Sequence, residues 1–339
     1  MRKWARRVDT SAYRLYDRDI PEIPLILDLY GDCVSGALYK RPYEKDETDE
    51  SLWLKAMKEA MSEALKIPED KIFLKTRQRQ RGKSQYERFE KKCFQKEIQE
   101  GGLYYQVNLS DYLDTGFFLD ARKRRALLHS AAEGKRILNL FSYTCSLSVS
   151  AAAGGALEVD SVDMSRTYLE WGAVNFNLNS LPYCFMDERE FIDARAKAAE
   201  RRNGNFHFSS GRSPGSLPAA KARQAPGRFI RADVLHFLEH ATAAKISWDL
   251  IILDPPVFSN SKKMNANLDI RRDYVNLIRK CLELLTPGGS IWFSVNSRKF
   301  HFDVEKFPQL KIEDMGEKLR DEDFKGKKIP CCWMIQGKR

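Results

Sequence analysis

The sequence has no apolar run approaching the ~18 residues that a membrane-spanning helix needs. Its basic start, Met1-Arg2-Lys3-Trp4, is not followed by the apolar stretch of a secretory leader. The seven cysteines are Cys33, Cys93, Cys145, Cys184, Cys281, Cys331 and Cys332. They are odd in number and form no Cys-x-x-Cys pair, which argues against a disulfide framework and against a zinc site. No Gly-x-Gly-x-x-Gly fingerprint of nicotinamide binding is present. Nineteen glycines and thirteen prolines are ordinary numbers and exclude collagen-like or low-complexity chains. These absences predict a protein of a reducing, cytoplasmic compartment that takes neither membrane nor metal as a partner.

What is there fits about two domains. The chain has 339 residues, 43% of them hydrophobic and 31% charged, enough apolar material for a packed core. Lys and Arg number 57 against 47 Asp and Glu, a surplus of ten that points to a polyanionic partner.

Residues 1–105 read as a small α+β domain. Tyr13–Tyr16 and Leu25–Tyr39 carry strand-like runs, and Ser51–Lys66 is an amphipathic helix with Trp53, Met57, Met61, Ala64 and Leu65 on one face. Further strands are expected at Lys71–Lys75 and Leu103–Leu109. Between them Arg77, Arg79, Arg81 and Lys83 crowd together, with Tyr86 and Phe89 close by, and residues 71–100 hold ten Lys or Arg against four Glu. Phosphate neutralisation beside stacking aromatics suits RNA, although a solvated charged loop explains most such runs.

Residues 106–339 alternate strands with helices, which predicts an α/β domain with a parallel sheet covered on both faces. The expected strands are Ile137–Phe141, Leu157–Asp163, Arg228–Asp233, Trp248–Asp254 and Ser290–Ser294, with a last one at Trp333–Gln336. Ser146–Ala153, Arg166–Asn179 and Ile270–Leu285 are the helices between them, the second capped by Ser165. Residues 187–227 break the rhythm. Nine basic residues stand against one acidic between 195 and 231, and the segment reads as a basic surface insertion.

Ligands of such sheets sit beyond the carboxyl ends of the strands. Four consecutive strands carry suitable residues there. The loop Phe141-Ser142-Tyr143-Thr144-Cys145 leads into a helix N-terminus that offers N–H donors. Asp163, followed by Met164, is placed to accept the two hydroxyls of a ribose. Asp233, followed by Val234, can accept from an exocyclic amine such as that of adenine. Asp254-Pro255-Pro256 ends the fourth strand. Each alone reads as a cap or turn. Together they point to S-adenosyl-L-methionine, with Asp120 and Arg122 as candidates for its methionine end.

The run Asp254-Pro-Pro-Val-Phe-Ser-Asn-Ser-Lys-Lys-Met264 resembles a signature of bacterial rRNA methyltransferases. Matching runs are Tyr13-Arg-Leu-Tyr-Asp17, Leu74-Lys-Thr-Arg77, Asp111-Tyr-Leu-Asp-Thr-Gly116, Phe118-Leu-Asp120, Leu138-Asn-Leu-Phe-Ser-Tyr-Thr144 and Val162-Asp-Met-Ser-Arg-Thr-Tyr-Leu-Glu-Trp171. From about residue 4 to the C-terminus, residues 187–227 excepted, the chain is similar to the guanine-N7-methylating half of the fused large-subunit rRNA methyltransferase. The resemblance implies a Rossmann-like class I domain dependent on S-adenosyl-L-methionine, a preceding RNA-contacting domain and ribosomal RNA as partner. Two departures stand out. Cys145 occupies a position usually held by Gly, which would crowd the methionine end of the cofactor. The half that methylates an exocyclic amine is absent, so a stand-alone chain with one activity is expected.

Guanine N7 has a lone pair and no proton, so its methylation needs alignment rather than a general base. The histidines are therefore unremarkable. Asp254 is expected to favour the cationic product, the Pro255-Pro256 turn to present carbonyls, and Phe258 to stack on a base that is splayed out of the RNA. Cytosine-C5 methylation needs a Cys nucleophile, and neither strand four nor strand five supplies one. Exocyclic-amine methylation stays open, as does a non-catalytic RNA-binding factor whose cofactor loop has decayed.

Overall fold

The computed structural model describes residues 1–39, 47–77, 93–203, 227–259, 268–297, 300–327 and 329–337. The chain divides into two compact units, Met1–Arg122 with Arg320–Lys328, and Lys123–Leu319 with Ile329–Arg339.

The first unit begins with α1 (Arg2–Arg7) and builds a four-stranded sheet in the order β1 (Ala12–Asp17), β2 (Leu25–Tyr30), β3 (Cys33–Tyr39), β4 (Ile72–Arg77). The β1–β2 and β2–β3 pairs are antiparallel, and β3 runs parallel to β4 after the crossover helix α2 (Glu47–Leu65). Leu25, Val34, Leu38 and Ile72 bury one sheet face against Met61, with Trp53, Met57 and Leu65 packed around them. That is the helix face expected from the three- and four-residue spacing. A separate hairpin pairs β5 (Gln95–Glu100) with β6 (Leu103–Asn108). The last stretch of this unit, Arg320–Lys328, is bound by ion pairs. Arg122 Nη1 lies 2.9 Å from both Asp321 and Asp323, its Nε lies 3.3 Å from Glu100, its Nη2 donates to the Ala12 carbonyl, and its guanidinium covers the Trp4 ring.

The second unit is an eight-stranded sheet. Its elements in chain order are α3 (Arg122–Ala131, whose first residue closes the first unit), β7 (Arg136–Leu140), α4 (Ser146–Ala153), β8 (Glu158–Asp163), α5 (Arg166–Leu178), β9 (Tyr183–Met186), α6 (Glu188–Asn203), β10 (Gly227–Arg231), α7 (Val234–Ala243), β11 (Trp248–Leu253), the short pair β12 (Phe258–Ser259) and β13 (Leu268–Asp269), α8 (Ile270–Glu283), β14 (Leu285–Val295), β15 (Leu310–Asp314), α9 (Gly316–Leu319) and β16 (Cys331–Gly337). The strand order is β15-β16-β14-β11-β7-β8-β10-β9. Strands from β14 to β9 are parallel. β16 lies antiparallel to β14, and β15 antiparallel to β16. Central strands such as β11 (Trp-Asp-Leu-Ile-Ile-Leu) are almost continuously apolar because helices cover both of their faces. α8 buries Ile270, Tyr274, Leu277, Ile278 and Cys281 against the sheet. Gly154, after α4, comes so close to α3 that an added Cβ would meet the His129 carbonyl oxygen at 2.1 Å.

Two expectations need correction. The stretch after residue 187 is not irregular from its start, because Glu188–Asn203 is the helix α6. Phe191 is fully buried in the core, and Arg195 is tied to Glu158 and lies 3.7 Å from Asp160. Residues 204–226 lie outside the described residues. The sheet is also not purely parallel, since β15, which sequence periodicity did not reveal, and β16 add an antiparallel edge.

Candidate functional site

Register decides what meets at the sheet's carboxyl edge. Leu140, Val162, Ile230, Leu253 and Phe293 align across β7, β8, β10, β11 and β14. One residue further along each strand stand Phe141, Asp163, Arg231, Asp254 and Ser294. This row and the loops beyond it form the candidate active site of the second unit.

The loop after β7 is built on unusual backbone. Phe141, Tyr143 and Cys145 have φ of 57°, 50° and 59°, three left-handed residues in alternation, none of them glycine. Each such residue costs ~1–3 kcal/mol unless its surroundings hold it. Here the Ser142 N–H donates to the Val162 carbonyl (3.1 Å), the Tyr143 N–H to Asp163 Oδ2 (2.9 Å), and Asn175 Nδ2 to the Thr144 carbonyl (2.9 Å). Below the loop, Asn139 donates to Ser148 Oγ, which shares a hydrogen bond with Ser161 Oγ, both at 2.8 Å and buried. Cys145 is the N-cap of α4 and its side chain gives the helix no cap hydrogen bond.

The feared crowding by Cys145 does not occur at the loop's open side. The residue is wholly buried, and its sulfur faces Gly172 of α5. A Cβ at Gly172 would stand 2.6 Å from Cys145 Sγ and 2.9 Å from its Cβ. The missing side chain in α5 makes the space that the thiol fills. Burial pushes the thiol up to about 12, so it stays protonated and inert.

Asp163 receives the backbone N–H of Tyr143 on Oδ2 and, at 2.8 Å, that of Ser165 on Oδ1, with the Met164 N–H beside them. Burial raises its carboxyl to about 6, against the pull of those backbone N–H groups. Met164 follows it, and its carbonyl accepts from Arg231 Nε at 3.3 Å. Asp233 is the N-cap of α7 and its Oδ1 accepts from Leu235 N and His236 N at 2.8 and 3.4 Å. Val234 begins that helix and is buried.

Asp254 has two side-chain partners that the sequence does not announce. Its Oδ2 lies 3.0 Å from Arg124 Nη1, its Oδ1 accepts from Ser294 Oγ at 2.6 Å, and Arg124 also donates to Ser294. Pro255 is buried, Pro256 partly so, and Phe258 is 51% exposed. Arg124 and Ser294 were missed by sequence reasoning. Arg124 sits in a run of four basic residues that reads as a solvated helix start, and Ser294 looks like an ordinary strand residue. Only the fold brings them to Asp254.

Arg122, the candidate for the methionine end, lies in an ion-pair cluster of the first unit. Its guanidinium is buried in the first unit, where burial lowers its pKa less than Asp323, Glu100 and Asp321 raise it. Its two terminal nitrogens donate to protein acceptors, while Nε stands 3.3 Å from Glu100 without a hydrogen bond. Asp120 lies in the single turn Leu119–Ala121 of the same unit. Arg77 ends β4, while Arg79, Arg81 and Lys83 lie outside the described residues, as does Asn260–Lys263 of the longer motif.

Among the described residues no group of His, Cys, Asp or Glu could hold a metal ion, and no helix is long and apolar enough to cross a membrane. Cys281 and Cys332 are buried, with thiols raised by burial, Cys332 to about 12.

A doubly covered sheet whose neighbouring strands end in carboxylates beside a strained loop and a helix N-terminus is a Rossmann-like class I methyltransferase. Residues 19–192 match the model of the S-adenosylmethionine-dependent methyltransferase family. The chain is 38% identical to ribosomal RNA large subunit methyltransferase K of Neisseria meningitidis serogroup B over 99% of its own length and 83% of that protein. It is 40% identical to ribosomal RNA large subunit methyltransferase K/L of Saccharophagus degradans over 99% of its length, and spans 40% of that protein's length. Among solved structures, a methyltransferase complexed with SAH is similar with a TM-score of 0.65 at 24% identity, covering 99% of this chain and 77% of that one. A SAM-dependent methyltransferase from Agrobacterium tumefaciens follows with a TM-score of 0.59 at 17% identity, covering 97% and 90%. The chain belongs to the S-adenosylmethionine-dependent methyltransferases, in the family of the ribosomal RNA large subunit methyltransferases K and K/L. S-adenosylmethionine is its cofactor, and the residues present fit it, with the Asp163 carboxylate and the start of α4 following neighbouring strands at the same sheet edge.

Proposed function

We propose that the chain methylates N7 of a guanine in large-subunit ribosomal RNA. The cofactor, when bound, supplies a methyl group on a sulfonium, activated for direct displacement. Asp163 accepts the ribose hydroxyls, the Phe141–Cys145 loop and the first amides of α4 receive the methionine end, and Asp233, with Oδ1 engaged in its cap, turns Oδ2 to the adenine amine. Met164 and Val234 flank the adenine. The observation that carries the reading is the Asp254-Pro255-Pro256 turn, which follows β11 next to the strand ends that receive the cofactor. The turn fixes the acceptor base, exposed Phe258 stacks on it, and an N7 lone pair needs no base to remove a proton. The names of the relatives support ribosomal RNA as substrate, and the +10 charge with Arg77, Arg79, Arg81 and Lys83 suits a polyanion.

One observation favours a second reading. Asp254 already carries a cationic partner, Arg124, so it offers a cationic product less than a lone carboxylate would. A paired carboxylate is still a good acceptor for a guanine exocyclic amine. Mass-spectrometric mapping of nucleosides in ribosomal RNA, with and without the gene, tests both. N7-methylguanosine that disappears with the gene supports the first reading, an N2-methyl product supports the second, and an unchanged nucleoside profile overturns both.

A further inference from the structure

Asp254 is held by two side chains from different elements. Ser294, next to last in β14, is 1% exposed and donates 2.6 Å to Oδ1. Arg124 of α3 is 7% exposed, lies 3.0 Å from Oδ2 and also donates to Ser294 Oγ. Because β11 and β14 are neighbours, with Leu253 opposite Phe293, the serine lies beside the carboxylate by register alone. The three groups close a ring: carboxylate to hydroxyl, hydroxyl to guanidinium, guanidinium back to carboxylate. Across the β14–β16 ladder Ser294 faces the buried Cys332, which walls the ring on that side.

We infer that Arg124 and Ser294 are positioning residues for methyl transfer, fixing the rotamer of Asp254 so that its remaining lone pairs face the acceptor base. This inference rests on the reading that Asp254 stands beside that base. The ring does two things that neither partner does alone. A buried guanidinium cancels the carboxylate's charge, so Asp254 works as an aimed hydrogen-bond acceptor. Anchoring both oxygens removes rotation about the side chain, which otherwise smears the acceptor position by more than an ångström. Misplacement of that size costs about a hundredfold in a reaction governed by alignment.

A purely structural pin between α3 and the sheet would show itself in stability, with transfer untouched. The test is therefore a double-mutant cycle on the full-length chain, with single-turnover transfer to ribosomal RNA, SAH affinity by calorimetry and thermal unfolding measured on each variant. Asp254→Asn, Arg124→Gln and Arg124→Lys are compared with the double variant Arg124→Gln/Asp254→Asn. We expect Arg124→Gln to slow transfer about 10- to 100-fold with SAH affinity within about twofold, Arg124→Lys to recover part of the rate, and Arg124→Gln to add almost nothing once Asp254 is Asn. Ser294→Ala should follow Arg124→Gln more mildly. If Asp254→Asn slows transfer while Arg124→Gln leaves it unchanged, or the two losses multiply, the positioning role is overturned. If Asp254→Asn itself transfers at the parent rate, it is instead the placement of Asp254 at the base that fails. Should Arg124→Gln not fold, Arg124→Lys and Ser294→Ala decide the matter on the same criteria.

Discussion

Cys145 and Gly172 form a complementary pair: the thiol occupies the space that a side chain at 172 would take, with only 2.6 Å between Sγ and the position of that missing Cβ. A cofactor loop without glycine at 145 is thus matched by a glycine in the helix behind it. Gly172→Ala should destabilise the chain by about 1–3 kcal/mol through overpacking and weaken SAH binding by displacing the loop. Cys145→Gly in that background should restore much of both, because glycine removes the Cβ contact and accepts φ of 59° without strain. Denaturant unfolding and calorimetric titration check this, and a Gly172→Ala variant that binds SAH like the parent refutes it.

Asp163 gives a pH signature. Its carboxyl is raised from 3.8 to about 6 by burial. Ribose hydroxyls donate best to the ionised form, so SAH affinity should fall toward tenfold per pH unit below about 6. The sign for folding is the reverse. The folded chain holds this proton more tightly than the unfolded one, so the contribution of Asp163 to stability declines as pH rises from 3.8 through about 6. Asp163→Asn should weaken binding at pH 7.5 and flatten its pH dependence. A slope that survives the substitution would exclude Asp163 as its source.

Asp254→Ala should reduce transfer at least tenfold while SAH affinity changes little, since the carboxylate serves the acceptor rather than the donor. Equal losses in both would place it at the cofactor instead.

Arg122 is predicted to matter for folding. Arg122→Met should cost ~3–5 kcal/mol, because Asp321, Asp323 and Glu100 would be left buried without their cation. Unfolding by urea measures it, and a change under 1 kcal/mol would show that the cluster relaxes into water.

Much of the second unit is legible without coordinates. The apolar runs of β7, β11 and the core of β14 stand out, and Ser165 caps α5 as its side chain suggests, accepting from Tyr168 N. What escapes is whatever depends on distant partners. The edge strand β9 is apolar but only four residues long, and β15 carries three charged residues among its five. α6 hides because dense charge of both signs masks the buried Phe191 and the inward Arg195, which reads as solvated until Glu158 is seen beside it. At the site, the strand-end acids at 163, 233 and 254 are visible in order, whereas the guanidinium and hydroxyl holding Asp254 are not. No local pattern distinguishes Arg124 from Arg122, two residues apart on the same helix and facing carboxylates 254 in one case and 321 and 323 in the other.

The aspartates around Arg122 come from residues 321 and 323, close to the end of the chain, while the rest of their unit is made from the first 122 residues. During synthesis the leading portion therefore emerges with a guanidinium that has Glu100 alone among its carboxylates, and Asp321 and Asp323 follow it 199 and 201 residues later. Closure of this charged cluster waits until Arg320–Lys328 has been made, after every strand of the second unit up to β15.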